Sequence, residues 1–255
     1  MISTAPWRII LLDETDSTNR TLSNLFARVS TQRLVVVADH QRAGRGRRGR
    51  AFHDLPRSTL ACSVLVRLPR RAEVNLLPMA VGNAIVFAIR GLGVAGVTLK
   101  WPNDLMVGEA KLGGMLIDGI FDGSSHQVVI GLGVNLTATP TLEDARNLCC
   151  LNEAIEGEPA EDFFSLRDSL LMRFLEELDD QLSQLLHGHT ELLLQTYRCC
   201  LSTLGRRVQI QYPEEMVVGL AEDVDQEGCL LVRTASGQVA VHVGDIEHLG
   251  VVNDR

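Results

Sequence analysis

The chain has 255 residues, 45% of them apolar and 22% charged, and a formal net charge of -8. That composition excludes a disordered chain, leaves room for one sizeable core plus a small appended domain, and argues against broad nucleic-acid binding, which calls for a basic face. No apolar run approaches the roughly 20 residues that span a bilayer, Met1 to Leu12 lacks a secretory layout, and the six cysteines show no C-x-x-C spacing, so a cytoplasmic protein without disulfide staples or structural zinc is expected.

Asp16-Ser17-Thr18-Asn19 precedes apolar residues at Leu22, Leu25, Phe26 and Val29, the stripe of an amphipathic helix with Asp16 or Ser17 as N-cap. Leu34 to Ala38 reads as a short buried strand. It runs into Gln41-Arg42-Ala43-Gly44-Arg45-Gly46-Arg47-Arg48-Gly49-Arg50, which packs five arginines and three glycines into ten positions of an acidic chain. Guanidinium forks on so glycine-rich a backbone predict a mobile loop that closes on a phosphate or carboxylate.

Leu60, Cys62, Val64, Val66 and Leu68 share one face of a strand, although Ala61 and Leu65 leave the other face less than polar. Asn75 to Leu92 has helical spacing, with Gly91 or Gly93 as the stop. Strands are predicted at Val97–Trp101, Met115–Phe121 and Gln127–Leu132, joined by turns at Gly108-Glu109 and Asp122-Gly123-Ser124, which implies a largely antiparallel sheet. Two or three helices fill Leu142 to Cys200, the clearest being Phe163–Leu186. After Gly205 short strands at Val208–Gln211, Val217–Ala221, Cys229–Arg233 and Val239–Val243 mark a small β-barrel. The domain boundary falls near Leu201 to Leu204, dividing the chain into 1–203 and 204–255.

Three short segments carry candidate chemistry. In Lys100-Trp101-Pro102-Asn103-Asp104, Pro102 ends a strand and presents Asn103 and Asp104 at a rim, where a carboxylate beside an amide suits Mg²⁺ or a nucleotide; the same pair is also an ordinary turn. Lys111-Leu112-Gly113-Gly114 sets a cation beside glycines that let backbone N–H groups approach an anion, with a solvated hairpin lysine as the plainer alternative. Gly131-Leu132-Gly133-Val134-Asn135-Leu136 ends a strand with close-approach glycines and an amide suited to a nucleobase edge. His242 and His248 read as surface or lightly packed residues, and motifs of zinc proteases and serine hydrolases are missing.

Taken in order, these segments closely resemble the biotin–acetyl-CoA-carboxylase ligase family over nearly the whole chain. The resemblance implies an α+β fold of the class II synthetase-like kind, a mixed, largely antiparallel sheet flanked by helices, followed by an SH3-like barrel. It also implies an ATP-dependent ligase that forms biotinyl-5'-AMP with Mg²⁺ and passes biotin to a lysine of a carrier domain of a biotin-dependent carboxylase. By the same resemblance Lys111 and Arg47 are catalytic, and Ser17, Thr18, Asn19, Gln41, Arg45, Gly46, Arg47, Lys111 and Gly114 bind biotin. Arg45, Arg47, Arg48, Phe52, Asn103, Lys111 and Asn135 face ATP or the adenylate, and Asp104 faces the metal.

Two departures stand out: Ala51-Phe52 where relatives carry a tryptophan, and Gly113 where an alanine is common, read as added backbone freedom. The basic loop starts about forty residues in, so no DNA-binding domain and no DNA partner are expected, and a homodimer stays open. The competing readings are a lipoate or octanoate ligase, an RNA-binding Arg-Gly tract, and a ligase-like protein that binds biotin without turnover.

Overall fold

The computed structural model describes residues 6–26, 33–70, 72–121, 125–141, 147–157, 162–211, 216–242 and 245–249. Val29 and the turn at Asp122-Gly123-Ser124 lie outside them, as does Val243.

Seven strands form the main sheet: β1 (Arg8–Leu12), β2 (Leu34–Ala38), β5 (Thr59–Pro69), β6 (Val97–Lys100), β7 (Asp104–Val107), β8 (Ala110–Phe121) and β9 (Ser125–Asn135), with a separate ribbon of β3 (Gly44–Arg45) and β4 (Ala51–Phe52). Their order is β1-β2-β5-β9-β8-β7-β6, and only β1 against β2 runs parallel. The sheet is therefore mixed and largely antiparallel, as expected. β1 escaped the sequence reading because Arg8 is followed by four apolar residues with no polar alternation; Ile9 and Leu11 stay exposed. The four-residue β7 carries too few residues to show a period, and the strand predicted at Val97–Trp101 stops at Lys100.

The two faces of β5 have different fates. Leu60, Cys62, Val64, Val66 and Leu68 enter the main core beneath α2 (Leu77–Arg90), α4 (Phe163–Leu186) and α5 (Thr190–Cys200), the last two following the short α3 (Leu151–Ala154). On the opposite face Leu65 joins Leu34, Val36 and Val129 under Leu22 of α1 (Thr18–Phe26). α1 covers only that part of the sheet, and beyond its first turn the strand ends of β5, β8 and β9 are left to form a floor. α2 starts two residues later than predicted, after a 3-10 turn at Val74–Leu76, and Gly93 at φ 91° carries the chain away from its end.

The C-terminal segment forms a five-stranded antiparallel sheet in the order β13-β12-β11-β10-β14, from β10 (Arg207–Gln211), β11 (Met216–Val224), β12 (Leu230–Thr234), β13 (Gly237–Val241) and β14 (Asp245–His248). β14 was not predicted, since four residues with two acids carry no alternating signal. All six cysteines are free thiols, and among the described residues no helix is long and apolar enough to cross a membrane.

Candidate active site

The arginine-glycine segment is a tight hairpin rather than open coil. Gly44 and Arg45 pair with Phe52 and Ala51, Gly46 N–H donates to Arg50 O at 2.8 Å, and the tip at Arg47–Gly49 turns through Arg48 and Gly49 at φ 54° and 75°. Ala43 N–H bonds to Asp16 O and Arg42 N–H to Thr15 O, both at 2.9 Å, so the hairpin base is tied to the entry of α1. The hairpin thus overhangs the floor left open by that helix.

Small residues make the floor. Ser63 on β5 lies opposite Gly131 on β9, and Ala61 opposite Gly133, which in turn faces Gly114 on β8. A β-carbon on Gly133 would come within 2.8 Å of Phe52 Cε2, and one on Gly131 within 2.9 Å of Asn19 Nδ2. These glycines therefore admit an aromatic ring and an amide close against the sheet. Gly113 has a similar duty and not the conformational one expected of it: a β-carbon there would reach 3.0 Å from Val134 Cα and run into the Gly133 carbonyl.

One end of the cleft is amide and hydroxyl. Gln41 Oε1 accepts from Thr18 N–H at 2.9 Å and from Thr18 Oγ1 at 3.1 Å, while Gln41 N–H donates to Asp54 Oδ2 at 3.1 Å. Burial pushes the Asp54 carboxyl above its ordinary range, with the Gln41 N–H and His40 pulling it back. His40 Nδ1 sits 3.1 Å from Asp54 Oδ1 but off the line of a hydrogen bond. Ser63 Oγ lies 2.7 Å from Thr18 Oγ1 and 2.5 Å from Asn19 Oδ1, and Asn19 Nδ2 donates to Asp118 Oδ2 at 3.1 Å.

The other end is ionic. Lys111 Nζ donates to Asp104 Oδ1 at 2.6 Å across the β7–β8 pair, both side chains 27% exposed. Asn103 Nδ2 donates to Met115 O at 2.9 Å, which turns its Oδ1 toward Arg47 Nη1, 3.5 Å away. Asn135 is buried, and its Nδ2 donates to Cys149 O at 3.2 Å, tying the segment after β9 to the cleft wall.

Ser17, Thr18, Asn19, Gln41, Arg45, Gly46, Arg47, Phe52, Asn103, Asp104, Lys111, Gly114 and Asn135 all line a single cleft of about 150 Å³. Arg48 does not: its Nη1 points to Gln211 O of β10, 3.5 Å away, because its left-handed backbone turns the side chain outward. Ile246 of β14 closes one side, so the C-terminal sheet shares in the wall, and a second hollow of about 330 Å³ continues past Arg47, Trp101 and Asn103. Thr203 is one of the contacts between the two sheets: its buried Oγ1 accepts from Trp101 N–H at 2.9 Å and lies 3.3 Å from His248 Nε2. Burial, with Lys100 and Arg206 nearby, drops the His248 pKa to about 4.

Ser63, Asp54, Asp118 and Thr203 were missed from sequence. Only Ser63 carried a signal, a hydroxyl in the middle of the apolar run Leu60 to Leu65. The others take their partners from distant segments. Among the described residues no three His, Cys, Asp or Glu side chains cluster as a metal cage; a single carboxylate at Asp104 fits Mg²⁺ only as an ion shared with phosphate and water.

Residues 11–135 match the biotin/lipoate A/B protein ligase family, and residues 203–249 match the biotin protein ligase C-terminal domain. The chain is 33% identical over 254 residues to the biotin–[acetyl-CoA-carboxylase] ligase of Mycobacterium tuberculosis, covering 95% of this chain and 90% of that protein. It is 26% identical over 227 residues to the bifunctional ligase/repressor BirA of Escherichia coli, covering 88% and 69%. In three dimensions it is similar to a biotin protein ligase from Aquifex aeolicus solved in complex with biotin and ATP, with a TM-score of 0.76 at 22% identity over 94% of this chain and 97% of that one.

Proposed function

The chain belongs to the biotin protein ligase family, and from that premise we propose that its cleft joins biotin to ATP and hands the biotinyl group to a carrier lysine. In the first step a biotin carboxylate oxygen attacks the α-phosphorus and pyrophosphate leaves; in the second a lysine amine attacks the acyl carbon, AMP leaves and the amine loses a proton. The carrier is the biotin domain of a carboxylase, in keeping with the names of the relatives.

The observation that carries this reading is that one cleft unites an uncharged amide-and-hydroxyl pole (Thr18, Asn19, Gln41) with a cationic pole (Lys111, Arg45, Arg47). The first suits a ureido ring, which offers two N–H donors and one carbonyl acceptor. The second suits the meeting of a carboxylate with a phosphate, where two anions must be held together while charge develops. Lys111 stabilises that charge and takes no covalent part. Asp104, now paired with Lys111, is the residue that would hold Mg²⁺, whose bound charge would offset that of the phosphates.

Phe52, lying on Gly133 beside Asn135, offers a ring face and an amide neighbourhood to the nucleobase. The Arg45–Arg50 hairpin excludes water from the reactive anhydride. Residues 1–203 form the catalytic domain, and 204–255 are an SH3-like domain that supplies Ile246 to the wall. We place the protein in the cytoplasm.

Incubation with biotin, ATP, Mg²⁺ and a purified carrier domain should add one biotinyl mass to a single lysine. A carrier left unmodified, or modified equally without ATP, would refute the reading.

A further inference from the structure

We propose that the second hollow, beside the cleft, is the channel by which the acceptor lysine of the carrier domain reaches the acyl carbon of the adenylate, its apolar walls taking the stem and Glu227 drawing in the ammonium. This inference rests on the reading of the cleft as the site of biotin adenylation.

The hollow exists because β7 covers β8 only as far as Gly114. Past that point Met115, Leu116 and Ile117 border a gap of about 330 Å³, together with Pro78 and Met79 of α2 and the turn Glu227-Gly228-Cys229 between β11 and β12. Arg47, Trp101, Pro102, Asn103, Met115 and Leu116 line both spaces, so the hollow opens into the cleft beside the ionic pole, where the biotin carboxylate meets the phosphate.

The lining sets the occupant. Pro78, Met79, Trp101, Met115 and Ile117 give it apolar walls. Among the described residues that line it, Arg47 is the one permanent cation, and it lies at the inner end against Asn103. The outer end carries the exposed Glu227. An acidic entrance repels polyphosphate and attracts an ammonium, and apolar walls suit a four-carbon stem. Biotin and ATP are both anions, so neither matches that entrance, whereas a lysine side chain matches both of its features.

The entrance is braced. Asn75 Nδ2 donates to Glu227 O at 2.9 Å, and Asp225 Oδ1 accepts from the N–H groups of Glu227 and Cys229 at 3.0 and 2.8 Å. Gly228 sits against α2, where a β-carbon would come within 3.0 Å of Met79 Sδ. Cys229 Sγ lies 2.9 Å from His242 Nδ1, on the same wall. Burial, with Asp225 and then Glu227 beside it, pushes the Cys229 thiol up to about 11. At neutral pH it therefore stays protonated and does not compete with the incoming amine for the anhydride.

Two assays separate the steps. ATP–pyrophosphate exchange with biotin reads adenylation alone, and single-turnover transfer from preformed biotinyl-5'-AMP to the carrier reads the second step alone. Ile117→Trp, which fills the hollow, should slow transfer roughly tenfold or more while exchange stays within about threefold of wild type. Glu227→Gln should weaken binding of the intact carrier about two- to fivefold, the size of an exposed ion pair, and leave unchanged the binding of a carrier whose acceptor lysine is replaced by methionine.

Transfer at the wild-type rate in Ile117→Trp would overturn the channel, as would equal losses in transfer and exchange, which would make the hollow a route for ATP or biotin. Should Ile117→Trp fail to fold, Pro78→Trp at the entrance decides in the same way. Weaker binding of both carriers alike in Glu227→Gln would refute its role toward the ammonium. A wild-type protein without biotin-dependent exchange would instead overturn the reading of the cleft.

Discussion

Gly133 lies directly against the Phe52 ring: a β-carbon on the glycine would lie within 2.8 Å of Cε2 and 2.9 Å of Cε1 of the ring. The aromatic platform at position 52 therefore exists because residue 133 has no side chain. Gly133→Ala should push the ring off the floor and raise the KM for ATP about tenfold while biotin binding changes less than threefold. Steady-state kinetics in each substrate would check this, and a loss confined to biotin would contradict it.

The Arg47 guanidinium reaches from the hairpin to Asn103 on the opposite wall, a span that closes the cleft from above. Arg47→Gly should loosen that closure and release adenylate into solution. Labelling of bystander lysines in a protein mixture, read by streptavidin blot, should rise roughly tenfold or more over wild type; selectivity equal to wild type would rule out the lid role.

Thr203 is buried between the turn at Trp101 and the C-terminal sheet. Thr203→Val removes the acceptor for Trp101 N–H and should destabilise the protein by about 1–3 kcal/mol, seen as a lower thermal midpoint. Because the same turn carries Asn103 and Asp104, the KM for ATP should rise with it. A midpoint and KM both unchanged would show that the two sheets are held in some other way.

His248 supplies a pH dependence with a definite sign. Its pKa falls from 6.5 to about 4 on folding, so the unfolded chain binds the extra proton first. This contribution to stability is present above pH about 6.5 and is lost as pH falls toward 4. Replacement of His248 by Gln should flatten the stability curve in that window, measured by urea denaturation at several pH values; an unaltered slope would exclude His248 as its source.

Much of the fold was legible because its signals are local. The alternation from Leu60 to Leu68 marks the core-facing side of β5, and the stripe from Phe163 to Leu186 gives α4 its observed ends. The candidate site was legible through Gln41 to Arg50 and the segments at Lys100, Lys111 and Gly131, whose residue types fit their chemistry even before their positions are known. What stayed hidden depends on register. Ser63 matters because it pairs with Gly131, Gly113 because it crosses Gly133, and Thr203 because it meets Trp101, and none of these adjacencies leaves a trace within either segment. The hairpin form of the basic segment was hidden for the same reason: two-residue strands have no period.

The central claim is that this cleft forms an acyl-adenylate from biotin, with Lys111 as the group that stabilises the charge. The most direct test is ATP–pyrophosphate exchange with the purified protein, comparing biotin, lipoate and octanoate, and Lys111→Ala as control. Exchange should appear with biotin alone and fall roughly a hundredfold to a thousandfold in the control. Exchange driven by lipoate or octanoate, or by none of the three acids, or equal in Lys111→Ala, would contradict it.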